Sequence, residues 1–219
     1  MNIELVIATY DRSYKWIEKV KKEVILTIYT KNINTKKEGE IFIPLNVGRD
    51  VHTFFYHIVN QYDSLANVTF FSQDFGLEHV NNYYDIINGD IEYWTYNAKQ
   101  HFEGYWAYQR GLYIGWEWHA ETNSNGRVLQ CDQSGLPNHP NLPILQTWNQ
   151  LFQTECPTTL EYVPGGHFSV TRDQIYKRPK SFYQTILQIL ETEYLAPWVF
   201  ERLEPYVFNS KYKIKPQYE

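Results

Sequence analysis

A lone carboxylate closes the stretch FFSQDFG, Phe70 to Gly76. Asp74 follows an apolar run, and a carboxylate at a strand end with a glycine behind it can bind a divalent cation through oxygen. The plainer alternative is a turn aspartate capping Gly76 and Leu77, and the heptapeptide alone favours the turn. Gly48-Arg49-Asp50 offers phosphate chemistry. A glycine before a helix N-terminus lets backbone N–H groups approach an anion, and an arginine there clamps a phosphate; a surface arginine after a turn explains the same residues equally well. Gly165-Gly166-His167 could present a ligand-facing backbone and an imidazole, as metal ligand or acid/base. A tight turn into a strand with a packed histidine is the favoured alternative. Glu201, in WVFERL, sits in an apolar helical context where burial raises a carboxyl pKa and suits it to general-base work. An ion pair with Arg202 or Arg172 accounts for it as well. Trp94, Trp106, Trp116 and Trp118 could form an acceptor platform, although core packing accounts for most of them.

Other chemistries find no support. His52 and His57 are five apart on a helix, not the i, i+4 of a metal pair, so a zinc site is not expected. G-x-S-x-G, a Cys–His signature, a P-loop and G-x-G-x-x-G are all missing.

The elements that must hold these groups follow from periodicity. Ile3 to Ala8 is a continuous apolar run with one charge, which predicts a strand buried on both faces, as in a parallel sheet. Ser13 is expected to cap a helix with Trp16, Ile17 and Val20 on one face. Glu23 to Tyr29 reads as a second strand, and Ile41-Phe42-Ile43 as a short piece ended by Pro44. From Asp50, the residues Val51, Phe54, Phe55, Ile58, Val59 and Tyr62 recur as a full helical stripe. Asn67 to Phe71 is then a strand, with Ser72-Gln73-Asp74 just beyond it. Such alternation is α/β grammar, and ligands of such sheets bind outside the carboxyl ends of strands. Thr9 to Arg12 and Ser72 to Asp74 both fall at such ends. The middle, Glu78 to Thr159, reads as loops, short helices and a hairpin around 123–126. His167 to Thr171 predicts a strand, Lys180 to Glu193 a helix with a stripe through Phe182, Tyr183, Ile186, Leu187 and Leu190, and APWVFERLEPYVF a last helix.

The bulk numbers bound the partners. With 219 residues and 43% hydrophobic content, one packed domain is expected. A formal net charge of -5 without a Lys/Arg block argues against nucleic acid as partner. Aromatics reach 17%, suiting a core and sugar or base stacking. The two cysteines, Cys131 and Cys156, make no disulfide scaffold. The apolar N-terminal run is too short for a signal sequence, and no run approaches the roughly 18 residues of a transmembrane helix. The expectation is a soluble, cytoplasmic protein without a transmembrane segment.

Several segments together carry a resemblance. ATYDRSYKWIE, IPLNVGRDVHTFFYHIVNQYDSLANVTFFSQ, and GGHFSVTRDQIYKRPKSFYQTIL followed by FERLEPYVF resemble a poorly characterised domain-of-unknown-function family of fungal, bacterial and large-virus proteins. That family shows an A-R-Y start, an N-x-G-R-[ED]-x-H-T-[YF] block, a strand ending in F-L-x, and F-A-V-S-R with R-P downstream. The likeness covers most of the chain outside about 82–155. More distantly, the layout is similar to nucleotide-sugar glycosyltransferases of the type-A fold. That similarity implies nucleotide binding by Ala8, Thr9, Tyr10 and Arg12, in a T-Y-[ND]-R-like turn, and by Asn46, Gly48, Arg49 and Gln73. It implies sugar contacts from Gly165, Gly166, Phe168 and Arg172, and Trp116, among the aromatics of the irregular middle, is expected to shape the acceptor pocket. Glu201 and His167 stand at the catalytic positions, and Asp74 at the metal. The chain departs from the Asp-x-Asp pattern, since Ser72 replaces the first acid. Asp74, with water or His167, would then hold Mn2+ or Mg2+; the other outcome is a metal-free enzyme using Arg49 and helix N–H groups.

The resulting expectation is one α/β domain with a mainly parallel twisted sheet flanked by helices, of nucleotide-diphospho-sugar transferase type. Residues 1–80 would form the nucleotide-sugar-binding half, 81–210 the acceptor-side half and 211–219 a tail. The expected function is transfer of a sugar from a nucleotide-diphospho-sugar, UDP-sugar favoured, to a glycan acceptor, in cell-surface, capsular or virion glycan synthesis. The alternatives are a non-catalytic carbohydrate-binding protein and a metal-assisted hydrolase.

Overall fold

The computed structural model describes residues 2–75, 83–88, 105–106, 118–121, 142–157, 159–162 and 166–208. A six-stranded sheet runs in the order β3-β2-β1-β4-β8-β5. It is built from β1 (Ile3–Thr9), β2 (Ile25–Thr30), β3 (Ile41–Phe42), β4 (Val68–Gln73), β5 (Tyr105–Trp106) and β8 (Phe168–Thr171). The first four strands pair in parallel. β8 is antiparallel to β4 and to β5. The sheet is therefore mixed, with its parallel part formed by residues before Asp74 and its antiparallel flank by later ones. β6 (Trp118–Glu121) and β7 (Thr159–Tyr162) form a separate antiparallel pair.

Both faces of the sheet are covered, which is why β1 and β4 read as unbroken apolar runs. α1 (Arg49–Gln61) lies on one face. There Phe54 and His57 meet Phe71 of β4, and Phe54 also meets Phe168 of β8. On the other face Phe70 meets Tyr83 of α2 (Tyr83–Ile87), which packs on Trp16. The side chains alternate along β4 with the period of two that a strand imposes. Each fully buried aromatic contributes about 1.5–3 kcal/mol relative to exposure. Behind α1 pack α5 (Lys180–Thr192) and α6 (Ala196–Phe208), where Phe55 meets Tyr183, Phe200 and Phe208. Buried Arg178, between the Phe152 and Phe182 rings, donates from Nε to the Val207 carbonyl at 3.3 Å and so tethers the end of α6. The remaining helices are α3 (Ile144–Leu151) and α4 (Arg172–Ile175), the latter capped by Thr171 Oγ1 accepting from Gln174 N. Among the described residues no helix is long and apolar enough to cross a membrane.

One polar group of contacts crosses the core between sheet and α1. Glu4 Oε1 accepts from Thr27 Oγ1 at 2.6 Å, Glu4 Oε2 lies 3.5 Å from His57 Nε2, and His57 Nδ1 lies 3.2 Å from the Tyr29 hydroxyl. Burial alone would raise the Glu4 pKa, but His57 and Thr27 hold it below its ordinary value.

Two expectations are corrected. The segment after Ser13 forms a single 3-10 turn, Lys15–Lys19, flanked by Tyr14 with no side-chain cap, so only Trp16 is buried there. β4 continues through Gln73, so Ser72 is a fully buried strand residue paired with Ile7, and only Asp74 lies beyond the strand. Tertiary pairing with β1 carries the strand past the point where the apolar run stops. A short helix of the kind expected in the middle segment is present as α3, whose Trp148 and Leu151 are core residues. The hairpin expected at 123–126 lies outside the described residues.

Candidate functional site

The parallel strands place β1 between β2 and β4, which follow it in the chain on either side. β1 and β4 thus form a topological switch point, and the crevice beyond their carboxyl ends is where such sheets take ligands. Ala8 pairs with Gln73 there, and Asp74 follows, 8% exposed. Asp74 Oδ2 accepts from Thr9 Oγ1 at 3.1 Å and from the Tyr10 backbone N–H at 3.3 Å. Its carbonyl accepts from Trp16 Nε1 at 2.9 Å. The carboxylate therefore ties the two strand ends together, which a turn aspartate bonded only to its own loop would not do. Beside it, Tyr10, Arg12, Thr30, Thr35 and Glu40 line a small cleft over the ends of β1 and β2. Glu40 accepts from the Tyr14 hydroxyl at 2.5 Å and from the Lys37 N–H at 2.8 Å. Burial and the Glu40 carboxylate push the Tyr14 pKa up to about 12. Tyr10 is 47% exposed, so its ring is open to a ligand.

Asp74 fits a divalent cation in one way. Oδ2 already accepts two hydrogen bonds, and no group of three His, Cys, Asp or Glu side chains among the described residues could complete a shell. A cation here would take most of its ligands from a diphosphate and water, which is how Mg2+ usually binds.

A second corner of the same rim is built by α1, α6 and the start of β8. Gly48 precedes α1 with φ +63, and a Cβ there would stand 2.6 Å from the His52 Cβ. Glycine is required by both conformation and contact. Arg49 also has positive φ, 53°, an uncommon geometry for a residue with a side chain. Lys31, just past β2, secures this turn: its Nζ donates to the Val47 carbonyl at 2.6 Å and to the Arg49 carbonyl. Burial pushes the Lys31 ammonium down to about 8, against the pull of Asp50. The Arg49 guanidinium lies 5.5 Å over the Trp198 ring of α6. Asp50 is half-buried, and burial raises its pKa; Arg49 and the N–H groups of Asp50 and Val51 oppose this, and Glu201 of α6 adds to it. Its carboxylate reaches the backbone of Gly166, where a Cβ would lie 2.3 Å from Oδ2. The helix N–H groups expected to cradle a phosphate thus already have an intramolecular anion, and Arg49 is the group left to meet one.

The rim therefore gathers Ala8, Thr9, Tyr10, Arg12, Gly48, Arg49, Gln73, Asp74, Gly166 and Glu201, with exposed Asn46 in the loop leading to α1. Glu201 Oε2 accepts from Arg202 Nη1 at 2.5 Å, so the ion pair considered for it is present. His167 is 1% exposed and turns to the opposite face, its ring 5.4 Å from that of Tyr83. Phe168 is 2% exposed against Phe71 and Phe208, so its ring is core and offers no sugar platform. Arg172 is not brought to the rim. Its N–H donates to the Asn67 carbonyl, and Thr171 pairs with Val68, at the far end of β4. The cause is the antiparallel direction of β8, which separates Gly166 from Arg172 by its length, about 13 Å at 3.3 Å per residue. Gly165 and Trp116 lie outside the described residues.

A family model described as Protein of unknown function (DUF3431) matches residues 5–219. The chain belongs to that family. No curated protein and no solved structure matches it with significance.

Two site residues escaped the reading of the sequence. Asp50 stands in the G-R-D run without a role of its own, because acids are common at helix starts for reasons of capping and dipole alone. Lys31 has nothing nearby in the sequence to mark it. The one available signal was the G-R-D run itself, in which the acid follows the proposed phosphate clamp.

Proposed function

We propose that the chain is a glycosyltransferase of the nucleotide-diphospho-sugar, type-A-fold kind, moving a sugar from a nucleotide-diphospho-sugar donor to a glycan acceptor. A UDP-sugar is the favoured donor, and a cell-surface, capsular or virion glycan the product. The observation that carries the reading is the β1/β4 switch point with Asp74 joining its two strand ends. Exposed Tyr10 and the cleft beside it suit a nucleoside, and Arg49 at the start of α1 suits a diphosphate. Glycosyl transfer needs negative charge stabilised on the departing diphosphate, which Arg49 or a cation at Asp74 would supply. It also needs an acceptor hydroxyl positioned beside a carboxylate, and Asp50 and Glu201 stand on the rim for that.

A thermal-shift panel of UDP-, GDP- and dTDP-sugars and the bare nucleotides, with and without Mn2+, tests this. One nucleotide series is expected to stabilise the protein, by the mass action of binding to the folded state. Mn2+ alone is expected to give no shift and to enlarge the nucleotide's. Absence of a shift with every donor and nucleotide, in both conditions, refutes the reading.

A further inference from the structure

We propose that Asp50 is the catalytic carboxylate of this site, the group that receives the proton of the acceptor hydroxyl; this rests on the transferase reading above. Of the carboxylates on the rim, Asp11 is exposed at the cleft, and Glu40, which accepts from Tyr14 and Lys37, is committed, as are two others. Asp74 accepts from Thr9 and Tyr10, and Glu201 is held by Arg202 at 2.5 Å. Asp50 makes no ion pair and no hydrogen bond to another side chain among the described residues. It is half-buried where α1, α6 and the start of β8 meet, and the missing side chain of Gly166 is what gives its Oδ2 room. The charged groups that face it are Arg49 on its own helix, Lys31 at the end of β2 and Glu201 on α6. Burial, reinforced by Glu201, makes it a stronger base than an exposed aspartate, and Arg49 keeps part of its charge.

The step balances. The acceptor O–H bond breaks and its proton passes to a carboxylate oxygen of Asp50. The acceptor oxygen's electron pair forms the bond to the anomeric carbon. The bond from that carbon to the diphosphate oxygen breaks, and its electron pair leaves with the nucleoside diphosphate beside Arg49. A single displacement of this kind inverts the anomeric centre. With water as acceptor, the same step releases UDP from a UDP-sugar.

The test uses the full chain as wild type, Asp50→Asn, Glu201→Gln and Gly166→Ala. UDP binding is read by thermal shift. UDP release is followed with UDP-glucose, UDP-galactose and UDP-N-acetylglucosamine, with Mn2+, across pH. All four proteins are expected to bind UDP. Release should fall about 100-fold or more in Asp50→Asn, the usual size of a general-base effect. Gly166→Ala, whose methyl group would push the Asp50 carboxylate aside, should lose roughly tenfold. Glu201→Gln should move the acidic limb of the pH profile to lower pH, because a negative charge beside Asp50 is gone. An Asp50→Asn protein that binds UDP and keeps release within about tenfold of wild type overturns the proposal. So does a Glu201→Gln acidic limb that does not move, a result that stands even if Asp50→Asn fails to fold. If wild type binds none of UDP, GDP, dTDP and their sugars, with or without Mn2+, the transferase reading itself falls and this assignment with it.

Discussion

Asp74 and Asp50 stand on the same rim of one sheet, yet their surroundings differ. Asp74 backs onto Trp16, on the face covered by the 3-10 turn and α2, and its Oδ2 receives an O–H from Thr9, the last residue of β1, and an N–H from Tyr10 just past it. Asp50 stands on the α1 face, with Glu201 nearby and Gly166 against it. Burial beside a like charge disfavours the charged form of Asp50. The first arrangement suits a fixed anchor for strands, backbone or cation. The second suits a group that exchanges a proton. Two aspartates in one rim are thereby given different work by their neighbours alone.

The largest expected effect is the loss of about 100-fold or more in UDP release by Asp50→Asn with nucleotide binding retained, which would separate proton transfer from anchoring. Next is Asp74→Ala. It should abolish the Mn2+-dependent part of the UDP thermal shift and cost about 1–3 kcal/mol of stability in denaturant titrations, since Thr9 and Tyr10 lose a charged acceptor. If metal-dependent donor binding survives, Asp74 is a structural tie only. Gly48→Ala should destabilise by about 1–2 kcal/mol, because the left-handed backbone and the His52 contact both resist a Cβ. It should weaken UDP binding along with stability, as it disturbs the turn that presents Arg49.

The smallest effect is a control away from the rim. The folded-state pKa of Glu4 lies below its ordinary value of 4.5. The stability it contributes is therefore complete above about 4.5 and is lost as pH falls through the folded pKa. Glu4→Gln should cost about 1 kcal/mol at neutral pH and flatten the acid limb of stability in pH-dependent denaturation. UDP release should not change, because Thr27, His57 and Tyr29 form a core contact that does not reach the rim. A change in release would mean that the α1 position depends on this contact.

Much of the parallel half was legible. The apolar run of β1, the stripe of α1 and the glycine before it are local patterns, and each found its place. So did the helix through Phe182 and Tyr183. The antiparallel flank was not legible. Nothing in HFSVT states which way the strand runs, and that direction brings Gly166 to the rim while sending Arg172 to the opposite end. Phe168 was matched as a sugar contact because an aromatic looks the same in a pocket and in a core. Burial against Phe71 and Phe208 decides it.

The sequence by itself determined where most strands and helices lie and that Thr9 and Asp74 come at or just past strand ends, because hydrophobic period and turn chemistry act over a few residues. Tertiary structure alone decided that Ser72 is sealed inside the sheet, that Thr9 and Tyr10 hold Asp74, and that Asp50 meets Gly166 and Glu201. These depend on strand pairing and helix docking between segments far apart in the chain. A carboxylate takes its proton affinity from whichever groups that docking brings to it.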